Sequence, residues 1–405
     1  MHGVIAVGFI AVFICNIFFG LSNSDEEHLN KWAQKRESEG NITMYNGGLY
    51  SPAVSVDRQK TLCSIVAYDK IRGFLNWPQT WFKKAALSQC TNYKVQFSEY
   101  VNGEVITKGT NVVIFHAPSH TYLGSQLTNK PKGVTYAMIS MEQPKYAVIL
   151  QNTKYLEQHM DLMITYNQAQ RYPGTQVKNL PITYYPLNIL PPTAVLKPAK
   201  AFKDKTGFGT GVSVVVFASN CKKAGASERY KYLEELMKWV KVHSYGSCLN
   251  NRKEPDFPID PDWPPTAQRR ASKIKIVSQY KFYLAFENAP VLDYVSEKVF
   301  EGLIAGSVPV YRGTNTIHNF MPCNSSFINA NGMTPKQLAT LLNTLAKDER
   351  KYSAFLDFKA HPLPARFVEM AWQSYVHPNV LCRICDYHFN HLKKNKNQTD
   401  IKMIT

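Results

Sequence analysis

Short runs of consecutive apolar residues, each closed by polar or turn-forming positions, set the rhythm of most of this chain. Residues 62–68, 112–115, 134–141 and 162–166 are such runs, separated by polar or helix-like stretches, and the alternation predicts an open α/β sheet. The pattern then sharpens. Residues 212–218 form a continuous, β-branched run that fits a parallel strand buried on both faces. Ser227 stands where it can cap a helix to Val240, with Tyr230, Leu233, Met237 and Val240 at helical spacing. A strand over 242–245, a Pro-rich excursion over 254–266, a strand over 282–286, a helix over 293–305 and a strand over 308–311 complete a second βα series. Between the two series, residues 190–211 hold Pro191, Pro192 and Pro198 with several lysines and glycines but no apolar periodicity, and read as an interdomain linker.

Two such series in tandem predict two α/β domains with a cleft between them and binding residues beyond the strand C-termini. That rule selects Ser219 and Asn220, Tyr245 and Gly246, Glu287 and Asn288, and Arg312 and Gly313. Turn formation explains polar residues at any one strand end, so the grouping of four is what counts. Two cations add to it. Arg229 falls in the first turn of the helix after Ser219 and Asn220, and Lys298 lies early in the helix after Glu287 and Asn288. A cation there faces the positive end of the helix macrodipole, which is unfavourable unless an anion such as a diphosphate sits with it. Simple exposure of Arg229 and an i,i+3 pair of Lys298 with Glu301 are the competing explanations.

The first residues change the picture of where the chain works. Residues 3–20 are apolar except for Asn16, about long enough to cross a bilayer as a helix, after a tail of residues 1–2. No Lys or Arg precedes the run, and Asp25, Glu26 and Glu27 follow it. An uncleaved anchor with a lumenal C-terminus is expected, a cleaved signal peptide being the rival. Residues 21–60 are polar and read as a stem. At 405 residues the chain exceeds what one core serves, and its formal charge of +17 favours anionic partners. The basic residues are scattered and no zinc-finger spacing occurs, which argues against a nucleic-acid module. Eight cysteines include seven beyond the apolar run: Cys63, Cys90, Cys221, Cys248, Cys323, Cys382 and Cys385. In an oxidising lumen most should pair, one being left over; zinc at Cys382, Cys385 and His388 is the alternative. Asn41, Asn324 and Asn397 begin N-glycosylation acceptor patterns.

The stretch YKFYLAFENAPVLDYVSEKVFEGLIAGSVPVYRG, residues 280–313, resembles the signature of the α1,3/α1,4-fucosyltransferases, glycosyltransferase family 10, with Ser296 where that family usually has Thr. The SNC turn (Ser219, Asn220, Cys221) with Arg229 downstream, the YGxC turn (Tyr245, Gly246, Cys248), the ISMEQP segment over 139–144 and the late CxxC resemble it too. The cysteine-bearing turns are closest to the core-type α1,3 branch. The resemblance implies a GT-B architecture of two Rossmann-like domains: an acceptor-side domain over 61–189, a GDP-fucose-binding domain over 212–360, and a tail over 361–405 packing back on the first. It implies inverting transfer of L-fucose from GDP-L-fucose to a GlcNAc hydroxyl of glycoprotein N-glycans by a Golgi-membrane type II enzyme, with a Lewis-type outer GlcNAc or a protein acceptor as the open alternatives. No essential metal is implied, Mn²⁺ being at most a stimulant.

Residue by residue, Glu142 matches the family's proposed general base, and Arg229 and Lys298 its phosphate contacts. Glu297 matches a nucleotide-sugar or ribose contact, and Ser219, Asn220, Tyr245, Asn288 and Tyr294 other donor positions. The resemblance also pairs Cys221 with Cys248, and Cys63 and Cys90 with Cys382 and Cys385, leaving Cys323 over. Two other readings remain. Asp260-Pro-Asp262 fits a metal-dependent glycosyltransferase using another sugar nucleotide. A lumenal glycan-binding protein without turnover would keep the fold but have no need of a base.

Overall fold

The computed structural model describes residues 44–45, 48–49, 60–68, 90, 92–99, 109–119, 130–186, 190–222, 226–260, 267–374 and 379–402. The expected anchor at 3–20, most of the expected stem, Asn41 and Asp262 lie outside the described residues. Among the described residues no helix is long and apolar enough to cross a membrane. They fall into two compact units: one holds the described residues from 44 to Tyr184 and from Gln373 to 402, the other those within Tyr185–Trp372.

The first unit is built on six parallel strands: β1 (Thr61–Ala67), β2 (Tyr93–Glu99), β3 (Val112–His116), β4 (Thr135–Ser140), β5 (Leu162–Thr165) and β6 (Lys178–Pro181). Their order is β2-β1-β3-β4-β5-β6. Every residue of β3, β4 and β5 is buried, as continuous apolar runs require in a sheet covered on both faces. The helix α1 (Thr153–His159) is capped by the Asn152 side chain, which accepts from the Tyr155 amide.

The second unit carries β7 (Val214–Phe217), β8 (Val242–Tyr245), β9 (Phe282–Phe286), β10 (Val308–Arg312) and β11 (Ile328–Asn329), all parallel, in the order β8-β7-β9-β10-β11. Strand periodicity divides the core between the two faces. Val214, Val216, Phe282, Leu284 and Phe286 pack in one cluster, and Val215 and Tyr283 in another. Its helices are α2 (Ala226–Leu236), α3 (Gln268–Val277), α4 (Glu297–Ala305), α5 (Pro335–Leu345), α6 (Glu349–Ser353) and α7 (Ala365–Trp372). Both sheets reverse strand order between their first and third strands, and such a reversal opens a crevice at the strand C-termini.

Two boundaries differ from the sequence expectation. Residues 190–211 belong to the second unit rather than to a free linker: Pro192, Ala194 and Val195 are buried there. The Lys359 ammonium fastens them by donating to the Val195 carbonyl, to the Lys197 carbonyl at 3.2 Å and to Leu303 at the end of α4 at 2.8 Å. The second unit also continues past residue 360 through α7, whose Phe367 and Met370 are buried. Helix starts move as well. α2 begins at Ala226, one residue before the expected cap, and α4 begins at Glu297 because Asp293 holds a positive φ of 60° that no helix accepts.

The returning segment forms α8 (Asn379–Lys402), joined to the first unit by Cys63–Cys385 and Cys90–Cys382. Both cysteines of the late CxxC are therefore in disulfides, which removes the zinc alternative. Cys221 pairs with Cys248 in the second unit, and Cys323 is buried outside the three disulfides, its Sγ 2.7 Å from Ser325 Oγ. His388 of α8 is fully buried. Its Nε2 lies 3.3 Å from Asn111 Nδ2 and its Nδ1 2.8 Å from Thr135 Oγ1. The Asn111 oxygen is already taken by the Ser64 amide, so its NH₂ donates to Nε2 and the imidazole stays neutral with its proton on Nδ1. Asn397 lies within α8, whereas Asn324 sits in a turn with its oxygen 2.7 Å from His318 Nδ1.

Candidate functional site

In the second unit, the strand ends on either side of the order reversal are joined by one side chain. Arg229, in the first turn of α2, is only 4% exposed. Its Nη1 donates to the Phe286 carbonyl ending β9 at 3.3 Å, and its Nη2 to the Asn220 carbonyl beyond β7 at 2.5 Å. Burial lowers its proton affinity, while Glu287, Tyr294 and Glu297 nearby raise it, which places these groups within one electrostatic neighbourhood. The backbone beside it leaves no latitude. Gly246 has φ of 89°, and a Cβ there would lie 2.7 Å from the Ala218 carbonyl oxygen, so only glycine lets the β8 end approach β7.

The first turn of α4 carries the other charged groups. Glu287, immediately after β9, is fully buried as a side chain. Its Oε1 accepts the Ser296 amide at 2.7 Å and its Oε2 the Ser296 hydroxyl at 2.7 Å. The Lys298 ammonium donates to Ser296 Oγ at 2.7 Å and lies 3.4 Å from Glu297 and 3.5 Å from Glu287. Burial pushes the Glu287 carboxyl up. Burial also works against the Glu297 carboxylate, but Lys298, Lys273 and Arg270 outweigh it and hold that group at about 2. Lys298 is raised despite its burial, because Glu297 and Glu287 face it. The expected competitor for Lys298, Glu301, is engaged elsewhere: it bonds Lys273 at 2.6 Å and Arg270 at 3.3 Å, both from α3.

Of the remaining positions marked by sequence, Ser219 is exposed and Asn220 and Asn288 are half-buried at the strand ends. Tyr294 is buried, its carbonyl 3.4 Å from the Tyr311 hydroxyl. Tyr245 is buried. Its ring stacks on Phe217 at 5.0 Å and its hydroxyl meets that of Tyr280 at 3.0 Å, in the interior. Asp260 is ion-paired to Lys275 at 2.8 Å. Two more residues are prominent here: Glu287, which the strand-end rule selects without assigning it a particular contact, and Asp293, which sequence reasoning did not single out and whose Oδ1 accepts the Thr316 hydroxyl at 2.8 Å.

In the first unit, Glu142 follows β4 and is half-buried. Its amide donates to Ser140 Oγ at 3.1 Å, the same hydroxyl donates to the Glu142 carbonyl at 3.0 Å, and Tyr184 donates to the Met141 carbonyl. These bonds fix the backbone that carries its carboxylate.

The residues from 209 to 404 match the family model "Glycosyltransferase family 10 (fucosyltransferase) C-term". Over this stretch the chain is similar to the C-terminal region of family 10 glycosyltransferases. The match takes in Arg229, Glu287, Glu297 and Lys298. Among relatives, alpha-(1,3)-fucosyltransferase B of Drosophila melanogaster is 32% identical over 231 residues, covering 55% of this chain and 48% of that protein. GDP-fucose protein O-fucosyltransferase 3 of Xenopus tropicalis is 41% identical over 136 residues, 33% of this chain and 28% of the relative. The Bos taurus protein of that name is 30% identical over 227 residues, 55% and 44%. The chain thus spans less than half the length of these curated relatives. A crystal structure of an alpha1,3-fucosyltransferase superposes with a TM-score of 0.51 at 18% identity, over 84% of this chain and 92% of that one, a likeness of fold. The fold is accordingly α/β with two parallel sheets, GT-B-like.

Proposed function

We propose that this protein transfers L-fucose from GDP-fucose to an acceptor hydroxyl with inversion at the sugar carbon. The observation that carries the reading is the pair of cations at the β7 and β9 ends, Arg229 and Lys298, inside a region matching a fucosyltransferase family. A departing GDP gathers negative charge on its β-phosphate, and fixed cations with helix N-terminal amides stabilise that charge without reorganising. Glu142 is the proposed base that takes the acceptor proton, and Glu297 a proposed hydrogen-bonding partner of the donor. The cations replace a divalent metal, and Mn²⁺ is at most a stimulant. Golgi membrane residence with a lumenal catalytic region is part of the proposal, and the apolar run at 3–20 and the disulfides support it.

The proposed acceptor is a GlcNAc hydroxyl of an N-glycan, in α1,3 linkage, on the resemblance of the SNC and YGxC turns to core-type enzymes. A second reading, a protein hydroxyl as acceptor, is favoured by the names of the O-fucosyltransferase 3 relatives. The test is to incubate the lumenal region with GDP-fucose and three acceptor sets: core N-glycans, antennary glycans and folded extracellular domains. Fucose transfer to core glycans supports the first reading, and transfer only to polypeptide the second. GDP-fucose left unbound and unconsumed with every set overturns fucosyl transfer.

A further inference from the structure

Ser296 occupies the N-cap of α4 yet makes no side-chain cap bond, which is unusual for a residue type whose preference there comes from accepting a first-turn amide. Its hydroxyl is committed the other way, donating to Glu287 Oε2 at 2.7 Å. The lone pairs this leaves accept the Lys298 ammonium at 2.7 Å. The result is a directed chain: Lys298 Nζ–H to Ser296 Oγ–H to a carboxylate with no exposure, whose second oxygen holds the Ser296 amide at 2.7 Å. Glu287 itself is tied in by its own amide, which donates to the Arg312 carbonyl at 2.8 Å.

We infer that Glu287 is a positioning residue for the donor diphosphate: through Ser296 it fixes the Lys298 ammonium and keeps the side-chain cap off the α4 amides, leaving both for the phosphates. Unrestrained, a lysine on four flexible bonds loses much rotamer freedom when it binds, and prior restraint removes that cost. The same arrangement explains why Ser can replace Thr at 296, since the chain uses only the hydroxyl.

This inference rests on the donor-site reading above, and a thermodynamic cycle separates the two. GDP affinity by calorimetry, KM and kcat for GDP-fucose, and Tm are measured for wild type, Glu287→Gln, Ser296→Ala, Ser296→Thr and Lys298→Met, and for the first two combined with Lys298→Met. Glutamine keeps the shape but presents a donor to the Ser296 hydroxyl or loses the charge that orders it. Glu287→Gln and Ser296→Ala should each weaken GDP binding about tenfold, and on the Lys298→Met background by less than about twofold, the coupling expected of residues acting through one another. Ser296→Thr should bind like wild type. Losses equal on both backgrounds, or GDP affinity unchanged in both variants, overturn the role of Glu287. Should Glu287→Gln fail to fold, the Ser296→Ala and Ser296→Thr pair decides by the same criteria. Wild type that binds no GDP overturns the donor site itself, and with it this inference.

Discussion

Glu142 and Glu297 are the two carboxylates that could be called catalytic, and their surroundings separate them. Burial works against the Glu297 carboxylate, but Lys298, Lys273 and Arg270 outweigh it and hold the group at about 2, which suits a charged hydrogen-bonding role better than proton uptake. Glu142→Gln should lower kcat by about 10² to 10⁴ with GDP affinity nearly unchanged. Glu297→Gln should weaken GDP-fucose binding along with turnover. Turnover and GDP calorimetry on both variants check this, and GDP affinity lost in Glu142→Gln but kept in an inactive Glu297→Gln reverses the roles. A cation at a helix N-terminus is a local conflict that calls for a partner, and the structure gives Arg229 the Phe286 and Asn220 carbonyls and Lys298 the Ser296 hydroxyl with Glu287 and Glu297 beside it. For Tyr245, a place at a strand end gives a position but not a direction, and its side chain packs on Phe217 and meets Tyr280. The Glu301 pair was equally hidden, since its partners Arg270 and Lys273 stand on α3, which only the fold brings near.

Among the elements, α8 presents a testable weakness. The buried His388 is held neutral between Asn111 and Thr135, and burial with His391 nearby lowers its proton affinity, Asp161 opposing. Its folded pKa lies below the unfolded value of about 6.5, so it contributes stability fully above that pH and loses it as pH falls further. Tm measured from pH 7.5 to 5 should therefore drop, and the drop should shrink in His388→Gln; equal slopes in the two proteins would rule this out. The sequence showed those elements whose burial is complete. β3, β9 and β10 read as unbroken apolar runs. The edge strand β2 has a single buried residue in its core, Val95, flanked by exposed Lys94 and Gln96, and was missed. So was α3, where QRRASKIKIV interleaves cations serving Glu301 and Asp260 with its few buried positions.

At the scale of the whole molecule, the proposed reaction is expected to draw its charge from side chains rather than from a metal ion. Activity should survive EDTA largely intact; complete loss restored by Mn²⁺ would return Asp260 and Asp262 to consideration, although Asp260 is ion-paired to Lys275. The two-sheet organisation was visible in the doubled βα rhythm, but the assignment of 190–211 was not, because buried prolines and a lysine seated on carbonyls leave no periodic trace. The chain leaves the first unit at Tyr184 and re-enters it at Gln373, and Cys63–Cys385 and Cys90–Cys382 span 322 and 292 residues of sequence. That layout sets an order of manufacture. Cys63 and Cys90 emerge from the ribosome as thiols and, at ~5–20 residues per second, wait roughly 15–60 s for partners not yet translated. Meanwhile Cys221, Cys248 and Cys323 pass by as wrong partners, of which the first two remove themselves by closing a bridge only 27 residues apart. A nascent chain stopped short of Cys382 can complete that local bridge but neither of the two long ones.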